Sequence, residues 1–327
     1  MTRWFTRSIF AATIAVAGTI ATFAQETFPV TVSHAFGETT VEDAPQRIVT
    51  WGWAAQDAVI ALGQVPVAIP YFEYGGDEQG MLAWTKEAIA GTGAGMPTIL
   101  QNTQSPPIEQ IAALQPDLIV AVYSGITEDE YALLSQIAPV VAYPDDPWST
   151  PWQQTITLTG EVLGKRQEAQ DLVERLETFI ADEVAQYPEI DGTSFAAIAE
   201  YNNEVAVYAA LDSRVKFLAD LGMVVPQSVE TLAQGNEFFF SLSFERFNEL
   251  ASDILISYFE SDEEADAFYE RPYIALSPQV EEGAVASIIG AELINSISPP
   301  SALSLEWGFP QYIAKIAEAA RNAKAED

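Results

Sequence analysis

His34 is the only histidine in the chain and there is no cysteine. A Ser-His-Asp or Cys-His nucleophile pair, a three-His zinc site and a thiolate metal site are therefore improbable or excluded. No Gly-x-Gly-x-x-Gly follows a strand pattern and no Gly-Lys-Ser/Thr phosphate loop occurs, so nucleotide cradling has no support. The 47 Asp and Glu residues make chance carboxylate pairs inevitable, and most of them read as solvated surface. A secreted two-lobed hydrolase working through such carboxylates stays open as a remote alternative. The aromatic residues are more informative. Trp51 and Trp53 follow "RIVT", Tyr71 and Tyr74 follow "VPVAIP", Tyr123 follows "DLIVAV", Tyr201 follows "FAAIAE" and Tyr258 follows "DILIS". In parallel α/β sheets ligands gather beyond the carboxyl ends of strands, so aromatics recurring there point to a binding cleft. Phe239, within "EFFFS", and Trp307, in "SPPSALSLEWGFP", join the set. Arg214 opens the helix pattern "SRVKFLADLG" and offers a cation to an acidic or chelating ligand group; a surface ion pair is the competing reading.

These residues need elements to hold them. "RIVTWG" reads as a buried strand, "AAQDAVIALG" as a helix closed by Gly63, and "VPVAIPY" as a second strand. The helix "PPIEQIAALQ", the strand "DLIVAVY", the helix "TEDEYALLSQIA" and the strand "VVAYP" follow, and strand–helix alternation implies parallel sheet. After the proline-rich "PDDPWSTPW", apolar residues recur at three and four through Leu163, Leu172, Leu176, Phe179 and Ile180. This predicts one helix of about 30 residues, about 45 Å long, which suits a strut between two lobes better than a crossover. The second half repeats the alternation, with strands "SFAAIAEY", "VAVYAA", "DILISYF" and "GAVASIIG". The expected organisation is a first lobe over residues 25–150, a linker helix over 151–187 and a second lobe with a terminal helix over 188–327. The expected fold class is α/β, two Rossmann-like lobes with central parallel sheets joined by one long α-helix.

One phrase is written twice. "PIEQIAALQPDLIVA" and "SFERFNELASDILIS" share Glu109 with Glu245, Leu114 with Leu250 and Asp117 with Asp253. The separation is too great for a solenoid repeat, so the phrase marks equivalent helix–strand units in two similar domains. Ahead of both lobes, "MTRWFTRSIFAATIAVAGTIATFA" places Arg3 and Arg7 before an uncharged apolar run and small residues, the pattern of an export signal over residues 1–24 cut after Ala24. A membrane anchor is the competing reading, but the run is short for a span. With 14 basic residues against the 47 acids, the formal net charge is −33. Such a surface repels phosphate backbones and anionic lipid, which argues against nucleic acid or a membrane surface as partner.

The ordered set "APQRIVTWGWAAQDAVIALGQVPVAI", "IEQIAALQPDLIVAVYSG", the helix after residue 151, "SFERFNELASDILIS" and the tail "SPPSALSLEWGFPQYI" resembles the periplasmic solute-binding proteins of ABC importers for iron-siderophore complexes and vitamin B12. The resemblance spans nearly the whole chain after the leader, and the tail looks like the siderophore branch. It implies a monomeric periplasmic receptor that captures a ferric siderophore between two lobes joined by a long helix. No intrinsic cofactor is implied, because ferric iron enters only within its chelate. It also implies that Glu109 and Glu245 dock onto Arg residues of the membrane permease. Trp53 and Tyr123 match the family's cleft aromatics. The family's hydroxamate and catecholate binders typically carry an Arg in the first lobe, but the corresponding "AIAGTGAGMPTILQNTQS" has none. That favours a neutral or cationic hydroxamate-type complex over an anionic catecholate. Haem or a corrinoid is the alternative ligand, with Tyr123 as haem iron ligand.

Overall fold

The computed structural model describes residues 28–233 and 237–325. The proposed export signal lies outside the described residues. The chain opens with a hairpin of β1 (Val30–His34) and β2 (Gly37–Val41) in the stretch expected to be an extended lead-in. The first lobe is then built on β3 (Ile48–Thr50), β4 (Ala68–Ile69), β5 (Thr98–Ile99), β6 (Leu118–Ala121) and β7 (Val140–Ala142). They lie in the order β5-β4-β3-β6-β7, all parallel. Every residue of β3, β6 and β7 is buried, as expected for parallel strands covered by helices on both faces.

The second sheet contains β8 (Phe195–Tyr201), β9 (Glu204–Tyr208), β10 (Phe239–Leu242), β11 (Ile254–Phe259) and β12 (Val285–Ile289). Its order β10-β9-β8-β11-β12 mirrors the first. The parallel expectation needs correction here: β8, β11 and β12 are parallel, whereas β9 and β10 run antiparallel. The cause is a two-residue turn at Asn202 and Asn203, both left-handed at φ 52° and 59°, which reverses the chain into a hairpin.

The connection is helical but is not one rod. It comprises the helices Trp152–Val162 and Arg166–Val184, broken at Gly164, whose φ of +66° favours glycine. The two helices pack closely at Gly160, where an added Cβ would lie 2.2 Å from the Ala169 Cβ. The first helix packs on Ala55–Ala61 of the first lobe and the second on the C-terminal helix Ser304–Lys324. One hydrophobic core consequently runs from Ile48 and Val120 through Ile156 and Leu176 to Phe195, Ile256 and Phe309.

The doubled phrase has a structural meaning as well. Asp117 accepts hydrogen bonds from the Gln46 and Arg47 amides, both at 2.8 Å, just ahead of β3. Asp253 accepts from the Ser194 amide at 2.7 Å and its hydroxyl at 2.8 Å, just ahead of β8. Each Asp thus clasps its lobe's first strand to the central strand that the Asp itself introduces.

Candidate functional site

In both sheets the strand order reverses at the centre, between β3 and β6 and between β8 and β11. Loops diverge at such a point and leave a crevice beyond the strands' carboxyl ends. In the first lobe the crevice wall is shaped by Gly52. Its φ is +89°, and a Cβ there would lie 2.3 Å from the Tyr123 carbonyl oxygen. The close approach lets the Trp53 amide donate to that carbonyl at 2.9 Å, stitching the loops after β3 and β6 together. The turn continues through Ala54, which is left-handed at φ 63°, into the helix Ala55–Ala61.

The cleft has two adjoining chambers that share Trp53, Tyr74 and Glu260 in their walls. The larger, about 830 Å³, takes Trp53 and Tyr74 from the first lobe and Tyr208, Arg214, Tyr258 and Glu264 from the second. The smaller, about 620 Å³, is mostly first lobe, with Trp51, Tyr71, Phe72 and Trp148. The aromatic walls are braced: Trp53 lies edge-on to Phe72 at 6.4 Å between centroids, and Tyr208 edge-on to Tyr258 at 5.8 Å.

Arg214 is held by two partners. Its Nε and Nη2 donate to Asp212 Oδ1 and Oδ2 at 2.8 and 2.7 Å, and its guanidinium lies 3.5 Å from the centroid of the Tyr208 ring. Burial acts to lower its pKa, but the Asp212 hydrogen bonds and charge outweigh this and raise it, so the group stays charged. Asp212 also caps the helix Ser213–Asp220 through the Arg214 amide at 2.9 Å. Burial, then the nearby Glu260 charge, pushes the Tyr74 hydroxyl up to about 12. Tyr258 is buried with its hydroxyl 3.0 Å from that of Tyr312, and burial raises it well above its usual value.

Of the aromatic and cationic residues expected to line the cleft, Trp53, Tyr71, Arg214 and Tyr258 do so. Four lie elsewhere. Tyr123 is buried beside Trp148, edge-on at 6.0 Å, and lines a small pocket of about 90 Å³ with Ser213 that adjoins the smaller chamber at Trp148. Tyr201, 57% exposed, sits at the hairpin end of β8 and packs on Phe239 of the edge strand β10, so the hairpin carries both away from the crevice. Trp307 lies in the first turns of Ser304–Lys324 rather than in a loop, and its ring packs on Trp84 at 5.3 Å. Glu109 and Glu245 are both exposed in the first turns of Ile108–Ala113 and of the 3₁₀ helix Phe244–Glu249. Hydrogen bonds from its own amide and from Ser243 hold the Glu245 carboxyl below its usual pKa.

Sequence reasoning missed Glu200, Tyr208, Glu260 and Glu264 as cleft residues. Glu260 follows directly on β11, so the strand-end rule applied to carboxylates would have found it. Tyr208 stands on an antiparallel strand, where that rule says nothing. Among the described residues no group of three or more His, Cys, Asp or Glu could hold a metal ion, and no helix is long and apolar enough to cross a membrane.

The chain belongs to the periplasmic binding protein family, whose profile matches residues 48–289. It is 29% identical over 213 residues to the Fe(3+) dicitrate-binding periplasmic protein FecB of Escherichia coli. That match takes in 62% of this chain and 64% of FecB, so the chain spans a little under two thirds of that relative. It is 27% identical over 241 residues to the ferric-anguibactin-binding protein FatB of Vibrio anguillarum, covering 69% of this chain and 67% of FatB. The structure of PiaA from Streptococcus pneumoniae in complex with ferrichrome superposes with a TM-score of 0.81 at 30% identity, covering 90% of this chain and 99% of PiaA. The fold is thus that of a two-lobed α/β binding protein.

Proposed function

We propose that this chain is a receptor that captures a ferric siderophore, of hydroxamate type, in the cleft between its lobes and hands it to an ABC permease. The observation that carries the reading is the cleft itself: two aromatic-walled chambers at the facing switch points of both sheets, in a fold close to that of a ferrichrome complex. Chambers of about 830 and 620 Å³ suit a compact metal chelate whose outer face is largely apolar. The receptor performs no chemistry and has no cofactor of its own, and the iron stays on its chelator. The chain is exported, loses its leader after Ala24 and works as a monomer in the periplasm. Glu109 and Glu245 present one exposed carboxylate from each lobe to Arg forks of the permease.

A tryptophan-fluorescence screen against ferrichrome, ferric dicitrate, haem and cobalamin tests the reading. Saturable quenching by ferrichrome is expected, because Trp51, Trp53 and Trp148 line the cleft. Quenching by haem with a Soret band, and none by a ferric hydroxamate, would overturn it. For delivery, Glu109→Ala combined with Glu245→Ala should abolish uptake in cells while affinity stays unchanged. Uptake that survives the double change removes the docking assignment.

A further inference from the structure

His34, the chain's one histidine, does not line the cleft. It stands at the turn of the β1–β2 hairpin and is 7% exposed, buried against β2, β7 and the helix Glu128–Leu134. Its neighbours fix which ring nitrogen carries the proton. The Thr39 hydroxyl donates its one proton to the Val140 carbonyl at 2.7 Å, so His34 Nε2, 2.9 Å from Thr39 Oγ1, is the donor of that pair. Nδ1 is then bare and accepts the Phe36 amide at 3.2 Å. A second proton can go only to Nδ1, where it faces the Phe36 N–H and deprives that amide of its acceptor. The groups around the ring offer little compensation. The Tyr131 phenol, 3.5 Å from Nε2, is neutral. Glu38 on β2, Glu128 and Asp129 on the helix, and Asp145 and Asp146 after β7 are exposed to water, which screens them. Glu130 is engaged by the Thr127 amide and hydroxyl. The connecting helix Trp152–Val162, which packs on β1, carries Glu161 alone, paired with Arg166.

The turn is tied to the wall of the smaller chamber. The Ala35 amide donates to the Tyr143 carbonyl at 2.9 Å, and the Tyr143 hydroxyl donates to the Ile126 carbonyl at 3.1 Å. Phe36 stacks on Tyr131 at 4.9 Å between centroids. Ile126 and Glu130, the residue next to Tyr131, line that chamber. We infer that His34 is a proton-operated clasp: neutral, it shuts the hairpin turn behind the chamber wall, and protonated, it releases the turn and with it the rear support of that wall. Burial holds the imidazole below its ordinary pKa of 6.5, so the open hairpin binds the proton better than the closed one. The contribution of the clasp is therefore whole above pH 6.5, declines as pH falls from there through the lowered value, and is flat below it. The clasp depends on no ligand and stands apart from the siderophore reading.

Because the chain has one histidine, the imidazole signals of the untagged mature protein belong to His34. Nitrogen NMR shifts at about pH 7.5 should show Nε2 protonated and Nδ1 bare. Hydrogen exchange read by mass spectrometry, corrected for the intrinsic effect of pH, should show protection of the hairpin falling about tenfold between about pH 7.5 and about pH 5. That fall should share its midpoint with the imidazole titration, and residues 126–134 should loosen alongside. His34→Gln, whose amide can still donate to Thr39 but takes up no proton, should hold hairpin protection constant over the same range. Three results overturn the clasp: Nδ1 protonated in the neutral ring, an imidazole that does not titrate before the whole protein unfolds, or hairpin protection that stays level while the imidazole titrates. Loosening confined to the hairpin overturns its link to the chamber wall.

Discussion

At position 214 a guanidinium lies in the cleft wall yet spends both arms of its fork on Asp212. An anionic ligand group would meet a guanidinium whose Nε and Nη2 already donate to Asp212 and whose charge that carboxylate offsets, with only its remaining N–H donors to offer. Asp212→Asn removes the competing charge while keeping a side chain able to cap the helix Ser213–Asp220. This change should raise affinity for ferric dicitrate several-fold, read by calorimetry; an unchanged or weaker affinity would contradict the account of Arg214. A second buried carboxylate works away from the ligand. Asp57 accepts hydrogen bonds from Trp84 Nε1 at 2.7 Å, Thr85 Oγ1 at 2.6 Å and the Ser301 hydroxyl, fastening the returning C-terminal segment to the first lobe. Asp57→Ala leaves those buried donors unpaired and should cost about 3 kcal/mol in urea unfolding. Burial raises its pKa above the ordinary 3.8, so the folded protein holds this proton more tightly than the unfolded chain does. The Asp57 contribution to stability therefore falls as pH rises from 3.8 through the raised value and is flat beyond it. Urea midpoints measured against pH should show that decline in the native protein and lose this component in Asp57→Asn.

Elements carry the site by fixing where strands stop. Asn202 and Asn203 hold the left-handed turn that makes β8 and β9 a hairpin, and Asn tolerates that region better than most residues. Asn203→Ala should destabilise the second lobe by about 1 kcal/mol, seen as a lower melting temperature. At the crossing of the connecting helices, Gly160→Val would drive methyl groups into Ala169, with an expected loss of about 1–3 kcal/mol; an unchanged urea midpoint would contradict this packing. These elements also mark the limits of sequence reading. Fully buried strands such as Leu118–Ala121 and Ile254–Phe259 were legible because apolar runs behind an Asp admit little else. The antiparallel hairpin was missed although "YNNE" carried its signal, because the surrounding alternation set a parallel expectation. The helix break at Gly164 was masked by apolar periodicity continuing on either side of it, and Pro310, lying inside Ser304–Lys324, disguised that helix's first turns as a loop. At the site, Trp53 follows the parallel strand β3 and Tyr258 lies near the carboxyl end of the parallel strand β11, so both were legible by that rule. Tyr201 ends a parallel strand too, but the hairpin carries it outward, a tertiary effect that spacing alone does not encode.

The whole molecule is joined more tightly than a single strut would allow. Besides the paired connecting helices, the chain returns to the first lobe after β12: Asn295 Nδ2 donates to the Tyr74 carbonyl at 3.0 Å, Ser301 bonds Asp57, and Trp307 packs on Trp84. With a core continuous through both lobes, opening is restricted to small rotations. Small-angle scattering should show nearly the same radius of gyration with and without ferrichrome, whereas a large ligand-induced compaction would contradict the shared core. The central claim, a ferric chelate held intact in the inter-lobe cleft, is tested most directly by equilibrium dialysis of the purified protein against a radio-iron-labelled ferric trihydroxamate. The account predicts saturable retention of one iron per chain, displaced by unlabelled ferric chelate and weakened at least tenfold by Trp53→Ala with Tyr258→Ala, a loss on the scale of removing two buried aromatic contacts. No retained iron, or retention indifferent to those two residues, would contradict it.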